Sequence, residues 1–121
     1  MIRGIKIVSI PVSNQDVSLK FYTEQMGFKV ATDQAMGPGQ RWIELSIPGS
    51  EVNLALFTPE GHENRIGGFQ PVTLWCDDVF ATAKLLKSRG VELGAEPKKE
   101  IWGTMAQFKD PDGNQFVFSS R

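Results

Sequence analysis

The sequence predicts an α+β fold built from two tandem βαβββ modules, and three observations carry that expectation. Gly27 and Gly90, each suited to close a helix in the left-handed region, stand 63 residues apart. Two hairpin turns, Pro48-Gly49-Ser50 and Pro111-Asp112-Gly113, recur at the same offset. The order of elements around them also repeats: strand, helix, then three strands. Module one is expected over about 4–58, a linker over about 59–69 and module two over about 70–120. Neither helix can bury an apolar face alone, so each should cover the convex side of a curved sheet. The strand faces turned away from the helices then line a cleft or a subunit interface.

Residues 5–12 read as the first strand, with Ile7, Ser9 and Pro11 on one face and Val8, Ile10 and Val12 on the other. Ser13, with Asp16 three residues on, offers a capping-box-like start to a helix over 14–26, which Gly27 ends. A second strand starts near Phe28 and Val30, and Met36-Gly37-Pro38-Gly39 reads as a loop. Strands over 42–47 and 52–57 flank the first hairpin turn. Residues 58–69 are polar and glycine-rich, a linker and a candidate flap. A strand over 71–76 opens the second module. Asp77-Asp78 then caps a helix with negative charge at its positive end, and Val79, Ala83 and Leu86 form its apolar stripe. After a strand from Val91 and a loop at Ile101-Trp102-Gly103, the chain closes on the hairpin of residues 108–118. There Pro111 presets φ and Gly113 takes the positive φ that the turn needs.

Composition narrows the function. A chain of 121 residues fits one domain, 40% hydrophobic and 22% charged. Its net charge is −1, with no basic stripe, so no nucleic-acid partner is expected. No apolar run approaches the roughly 18 residues of a membrane span, and the N-terminal residues lack a signal-peptide pattern. The single cysteine, Cys76, excludes an internal disulfide framework and fits a reducing cytoplasm. Three Trp and eight Phe beside one His favour aromatic surfaces over a His-based hydrolytic site.

Strand alternation predicts what lines the cleft, once the apolar residues of each strand are turned to the helices. Trp42, Glu44 and Ser46 fall on the cleft face of the third strand, and Pro71, Thr73 and Trp75 on that of the fifth. Met105 and Gln107 follow on the seventh, and Gln115, Val117 and Ser119 on the eighth, beside Ile7 and Ser9 of the first. This is an aromatic and amide-lined surface with one carboxylate, the make-up of a pocket for a flat organic ligand. Trp42, Trp75 and Trp102 are stacking candidates, or else fill an interface. Glu44 is the candidate catalytic residue. Walled by tryptophans, its pKa would rise toward general acid/base work; at the mouth it is a solvated or paired carboxylate. Gln107 and Gln115 either orient a ligand carbonyl or amide or bond structurally.

Several stretches together resemble the glyoxalase / bleomycin-resistance / extradiol-dioxygenase superfamily, the vicinal oxygen chelate proteins. In module one they are Ser18-Leu19-Lys20-Phe21-Tyr22 and Met26-Gly27-Phe28. In module two they are Cys76-Asp77-Asp78-Val79, Arg89-Gly90-Val91, and Trp102-Gly103 leading to Phe108-Lys109-Asp110-Pro111-Asp112-Gly113-Asn114. The resemblance implies a curved eight-stranded sheet around a cleft, usually in a homodimer. Its members include metalloenzymes and metal-free proteins that bind antibiotics. The metal members carry a His or Glu at one position on each of four strands. Carried over, those positions are Ile7, Leu54, Pro71 and Val117, with Asn53 or Ala55 replacing Leu54 if the register slips by one. None of these side chains ligates a divalent metal, so no metal and no other cofactor is expected.

Three readings stay open. One is a metal-independent protein binding a planar, partly apolar small molecule through Ile7, Ser9, Trp42, Leu54, Thr73, Trp75, Trp102, Met105, Gln107, Gln115 and Val117. The second is a metal-free isomerase or lyase with Glu44 as acid/base. The third is a metalloenzyme using atypical ligands such as His62, Glu63 and Glu44. A cytoplasmic homodimer with no nucleic-acid or membrane partner is expected throughout.

Overall fold

The computed structural model describes residues 1–120. The chain divides into two compact units, with the boundary between Ile66 and Gly67. Each unit runs β, α, β, β, β as the repeat predicts, and the fold is α+β. Hydrogen bonding groups the eight strands into two sheets of four. No helix among the described residues is long and apolar enough to cross a membrane.

The first unit contains β1 (Ile7–Pro11), α1 (Gln15–Lys20), β2 (Lys29–Gly37), β3 (Gln40–Ser46) and β4 (Asn53–Phe57). Its sheet has the order β1-β4-β3-β2, with β1 parallel to β4 and the other pairs antiparallel. The helix starts one residue later than Ser13 would allow. Asn14 is the cap: its backbone is extended, and its side chain accepts the Val17 N–H at 3.1 Å. Asp16 turns instead to Arg41, which also pairs with Asp33. The Gln15 side chain donates to the carbonyls of Arg41 at 2.7 Å and Leu56 at 2.9 Å, fastening the helix start to β3 and β4.

The α-helix does not continue to Met26. It stops at Lys20 and opens into a π-helical turn over Phe21–Gln25, where the Met26 N–H reaches back five residues to the Phe21 carbonyl. The Thr23 hydroxyl donates to the Leu19 carbonyl at 2.7 Å, a back-bond that loosens the regular ladder. The wide turn lets consecutive residues, Phe21 and Tyr22, both enter the core. Their rings meet edge to face at 5.0 Å, and Tyr22 stacks on Phe28 at 6.1 Å. Strand β2 includes Met36 and Gly37, which the sequence assigns to a loop; the turn is confined to Pro38 and Gly39.

The second unit contains β5 (Gly68–Cys76), α2 (Val79–Ser88), β6 (Leu93–Glu100), β7 (Gly103–Lys109) and β8 (Asn114–Ser120), in the order β5-β8-β7-β6. Asp78 caps α2 by accepting the Ala81 N–H at 3.0 Å. At the other end Val91 N–H bonds the Leu86 carbonyl and Gly90 N–H the Lys87 carbonyl, both at 3.0 Å, which is a Schellman closure around Gly90. Val79, Ala83 and Leu86 are buried, as their spacing predicts, and meet a core of Ala106, Phe108, Phe116 and Phe118. Phe108 stacks on Phe116 at 5.2 Å.

The final turn is held from inside. Asp110 is buried, and one carboxylate oxygen accepts the N–H of Asp112 at 3.0 Å and of Asn114 at 2.9 Å. Its other oxygen accepts from the Asn114 side chain at 2.9 Å. Asn114 in turn accepts from the Gly67 N–H at 2.8 Å and the Gln70 side chain at 2.9 Å. The turn that sets the register of β8 therefore also anchors the start of β5. Gly67 is required there: its φ is +77°, and a Cβ would stand 2.9 Å from the Asp112 carbonyl oxygen.

Candidate functional site

The pairing register decides which side chains share a face. In the first sheet Glu44 lies opposite Ala55 and Leu45 opposite Leu54, while Ser9 pairs with Ala55 and Ile7 with Asn53. Directly paired residues point the same way. The face away from the helix thus carries Ile7, Ser9, Trp42, Glu44, Asn53 and Ala55. Leu54 does not belong to it. It is 3% exposed and packs on the helix side with Leu45, Ile43 and Leu56, so the position expected at Leu54 falls to Ala55.

Glu44 is held on this face from two sides. Trp42, two residues earlier on the same strand, donates its indole N–H to Oε2 at 2.8 Å. Asn53, from the neighbouring strand, donates its side-chain amide to Oε1 at 3.3 Å. The Trp42 bond, then the Asn53 bond, with Lys6 adding a positive field, hold the carboxyl below the usual carboxylate range; partial burial opposes them and loses. The shift is opposite to the one that tryptophan walls would produce by desolvation alone. Here the indole presents its N–H rather than its face. Glu44 therefore stands as a fixed anion and hydrogen-bond acceptor at neutral pH. A carboxylate offers about four acceptor sites, and two donors reach this one, so capacity for a further donor remains.

The second sheet gives a matching face. Thr73 pairs with Val117 and Trp75 with Ser119; Gln107 pairs with Val117, Met105 with Ser119 and Lys109 with Gln115. Thr73, Trp75, Met105, Gln107, Gln115 and Val117 therefore share one face, as alternation predicts. Trp75 is 57% exposed and Phe69, paired with Gln115 in the same row, is 64% exposed, whereas Val117 is buried. Trp102 lies off the sheet, at the tip between β6 and β7, and is 73% exposed. Two residues escape the sequence reading. Asn53, half of the clamp on Glu44, is identified only by register. Gly94 lies at a bulge of β6 against β7, and a Cβ there would stand 2.8 Å from Gln115 Oε1 and 3.6 Å from Gln107 Oε1. A glycine inside a strand is itself a sign of such a close approach.

Elsewhere, a groove of about 400 Å³ runs past Asn14, Asp16, Gln40 and Arg41, on none of the predicted site residues. His62 and Glu63 are exposed, and the Glu63 carboxylate caps its own turn by accepting the Gly61 N–H at 3.1 Å.

The whole-chain comparisons agree with this geometry. A family model described as Glyoxalase/Bleomycin resistance protein/Dioxygenase superfamily matches residues 4–118. The chain belongs to that superfamily. The uncharacterized protein YetH of Bacillus subtilis (strain 168) is 36% identical over 117 residues, covering 97% of this chain and 98% of YetH. A superfamily member from Sphaerobacter thermophilus DSM 20745 has a solved structure with a TM-score of 0.90 and 31% identity, covering 99% of this chain and 98% of that one. TnmS3, an antibiotic binding protein from Streptomyces sp. CB03234, has a TM-score of 0.85 and 33% identity, covering 98% and 96%.

The superfamily resemblance raises a chelated metal, and the donor set tests it. The ligand positions that the resemblance implies are Ile7, Leu54 or, by the register of β4, Ala55, Pro71 and Val117, none with a ligating side chain. Among the described residues no three His, Cys, Asp or Glu side chains gather into a group that could hold a metal ion, so Glu44, His62 and Glu63 form no trio. The residues present do not fit a chelated divalent metal.

Proposed function

We propose that this superfamily member binds a planar, partly apolar small molecule without a metal, on the helix-free faces of its sheets. The observation that carries this reading is the Trp42–Glu44–Asn53 arrangement: an indole and an oriented anion beside each other on a partly open face. Such a pair offers stacking area and one directional acceptor, which is what orients a flat ligand. Trp75, Thr73 and the amides of Gln107 and Gln115 supply the same combination on the second sheet. The 33% identity to an antibiotic binding protein over nearly the whole chain supports a small-molecule ligand. The alternative with Glu44 as a general base is weakened by the lowered basicity that its two donors impose.

Titrating the protein with planar aromatic compounds while following tryptophan emission, with and without a chelator, tests the proposal. Saturable quenching that the chelator leaves unchanged is expected. No quenching by any compound, or quenching abolished by the chelator and restored by a divalent ion, would overturn it.

A further inference from the structure

Glu44 is a half-buried carboxylate whose two donors, the Trp42 indole and the Asn53 amide, are both neutral. Among the described residues no Lys, Arg or His forms an ion pair with it. Two other shielded carboxylates are matched: Asp33 and Glu100, with side chains 31% and 25% exposed, meet Arg41 at 2.8 Å and Lys98 at 3.1 Å. The register shows why Glu44 is not. The row through it runs Ser9, Ala55, Glu44, Thr32, and the next row sets Trp42 opposite Gln34; every neighbour in these rows is neutral. Arg41 and Asp33 fall on the other face, opposite Ala35 and Ile43. The lysines nearest in the frame are Lys29, opposite Ser46, and Lys6, just before β1; both are exposed and neither closes on the carboxylate. A half-buried anion with neutral donors has given up part of its hydration and regains most from a cation. The Asn53 bond is the longer of the two, which leaves Oε1 the more open oxygen.

We propose that Glu44 selects the charge of the ligand: it pairs with a protonated nitrogen, such as an amidinium, carried on a planar ring system. This rests on the reading that the helix-free faces bind a small molecule, and it names the group that the first sheet recognises. The cation donates its N–H groups into the acceptor sites that Trp42 and Asn53 leave on the carboxylate, and the Trp42 indole beside it adds a π-face that favours a cation. The two neutral donors fix the carboxylate before the ligand arrives, so little side-chain freedom is lost on binding. A neutral amide makes a weaker bond there, and an anion is repelled.

The test uses the intact chain at pH 7 and two probes of one shape, 2-naphthamidine, a cation, and 2-naphthamide, which is neutral. NMR titration follows the tryptophan indole N–H signals, of which that of Trp42 reports directly on its bond to Glu44. The wild type should bind 2-naphthamidine about fivefold more tightly at low salt, as one partly screened, charge-assisted hydrogen bond predicts. The preference should shrink as salt is added. Glu44→Gln keeps the shape and removes the charge, so the ratio of the two affinities should fall to about one. Glu51→Gln removes the same charge from the exposed hairpin turn and should leave the ratio at about five. Equal binding of the two probes by the wild type overturns the subsite, as does a preference that survives in Glu44→Gln or one lost equally in Glu51→Gln. In each of these cases indole shifts with 2-naphthamide would leave the small-molecule reading standing. If neither probe moves any indole signal, the subsite and the reading beneath it both fall.

Discussion

Replacing Glu44 with Gln separates a structural anion from a catalytic base, and the structure sets the size of the effect. Glu44 accepts from Trp42 Nε1 at 2.8 Å on one oxygen and from Asn53 Nδ2 at 3.3 Å on the other. A glutamine has one carbonyl oxygen and one NH₂ in those places, so it can accept from one donor while its own NH₂ confronts the other. A hydrogen bond to a charged group contributes about 1.5–3 kcal/mol when buried. Glu44 is only half-buried, and solvent screening reduces that to about 1 kcal/mol. For a chain of this length that is a fall in Tm of about 3–5 °C at pH 7. The pH dependence has a definite sign. The folded-state pKa of Glu44 is depressed below its ordinary value of 4.5. Its stabilisation is therefore full above that value and is lost as pH falls through the folded pKa. Thermal melts of wild type and Glu44→Gln at a series of pH values should show a gap that is constant near neutrality, narrows below about pH 4.5 and closes in stronger acid. A variant as stable as wild type at pH 7, or a gap that widens on acidification, would refute the clamp.

Three further substitutions test the architecture around the faces. Asn14→Ala should cost about 1 kcal/mol by removing the cap of α1, while Ser13→Ala should be close to neutral; denaturant melts of the pair decide which residue caps. Asn114→Ala strips the acceptor from the Gly67 N–H and the Gln70 side chain in a buried setting, and should cost about 2–4 kcal/mol by the same measurement. Gly67→Ala meets both a positive φ and the Asp112 carbonyl at 2.9 Å, so it should lower stability by about 1–3 kcal/mol.

How much of this was legible in the sequence follows the range of the forces involved. Local signals were read well. Gly90, Asp78 and the Val79/Ala83/Leu86 stripe act within a turn or two of helix, and the structure has them as expected. The first helix was misread where two local signals competed. Ser13 and Asn14 are both capping types, and only the extended backbone at Asn14 with its bond to Val17 separates them. The π-helical turn has no comparable mark, because it answers the need to bury two adjacent aromatic rings. Alternation placed Trp42, Glu44, Thr73, Trp75, Gln107 and Val117 on the correct faces because each strand has one clearly apolar row. It assigns nothing on β4, where Leu54, Ala55 and Leu56 are all apolar and all buried, and the resemblance that points to Leu54 is off by one residue in register. A period of two cannot be read from a run without contrast, so only pairing with Glu44 and Leu45 fixes that register.

That register has a consequence for what the two modules share. Ala55 lies opposite Glu44, and Val117 lies opposite Gln107, so the two pairs occupy corresponding places in their sheets. Two of the positions that the superfamily resemblance implies for metal ligands, those on β4 and β8, fall at the apolar residues Ala55 and Val117. The polar groups stand one strand away, as an anion in the first module and a neutral amide in the second. Each is governed by its own neighbours: Glu44 is pinned by Trp42 and Asn53, whereas the side-chain amides of Gln107 and Gln115 have no hydrogen-bond partner among the described residues. A pinned anion supplies a fixed acceptor, and an amide supplies both a donor and an acceptor. The same βαβββ frame thus presents an anion on one sheet and neutral amides on the other, and neither stands at the positions that the superfamily resemblance implies for metal ligands.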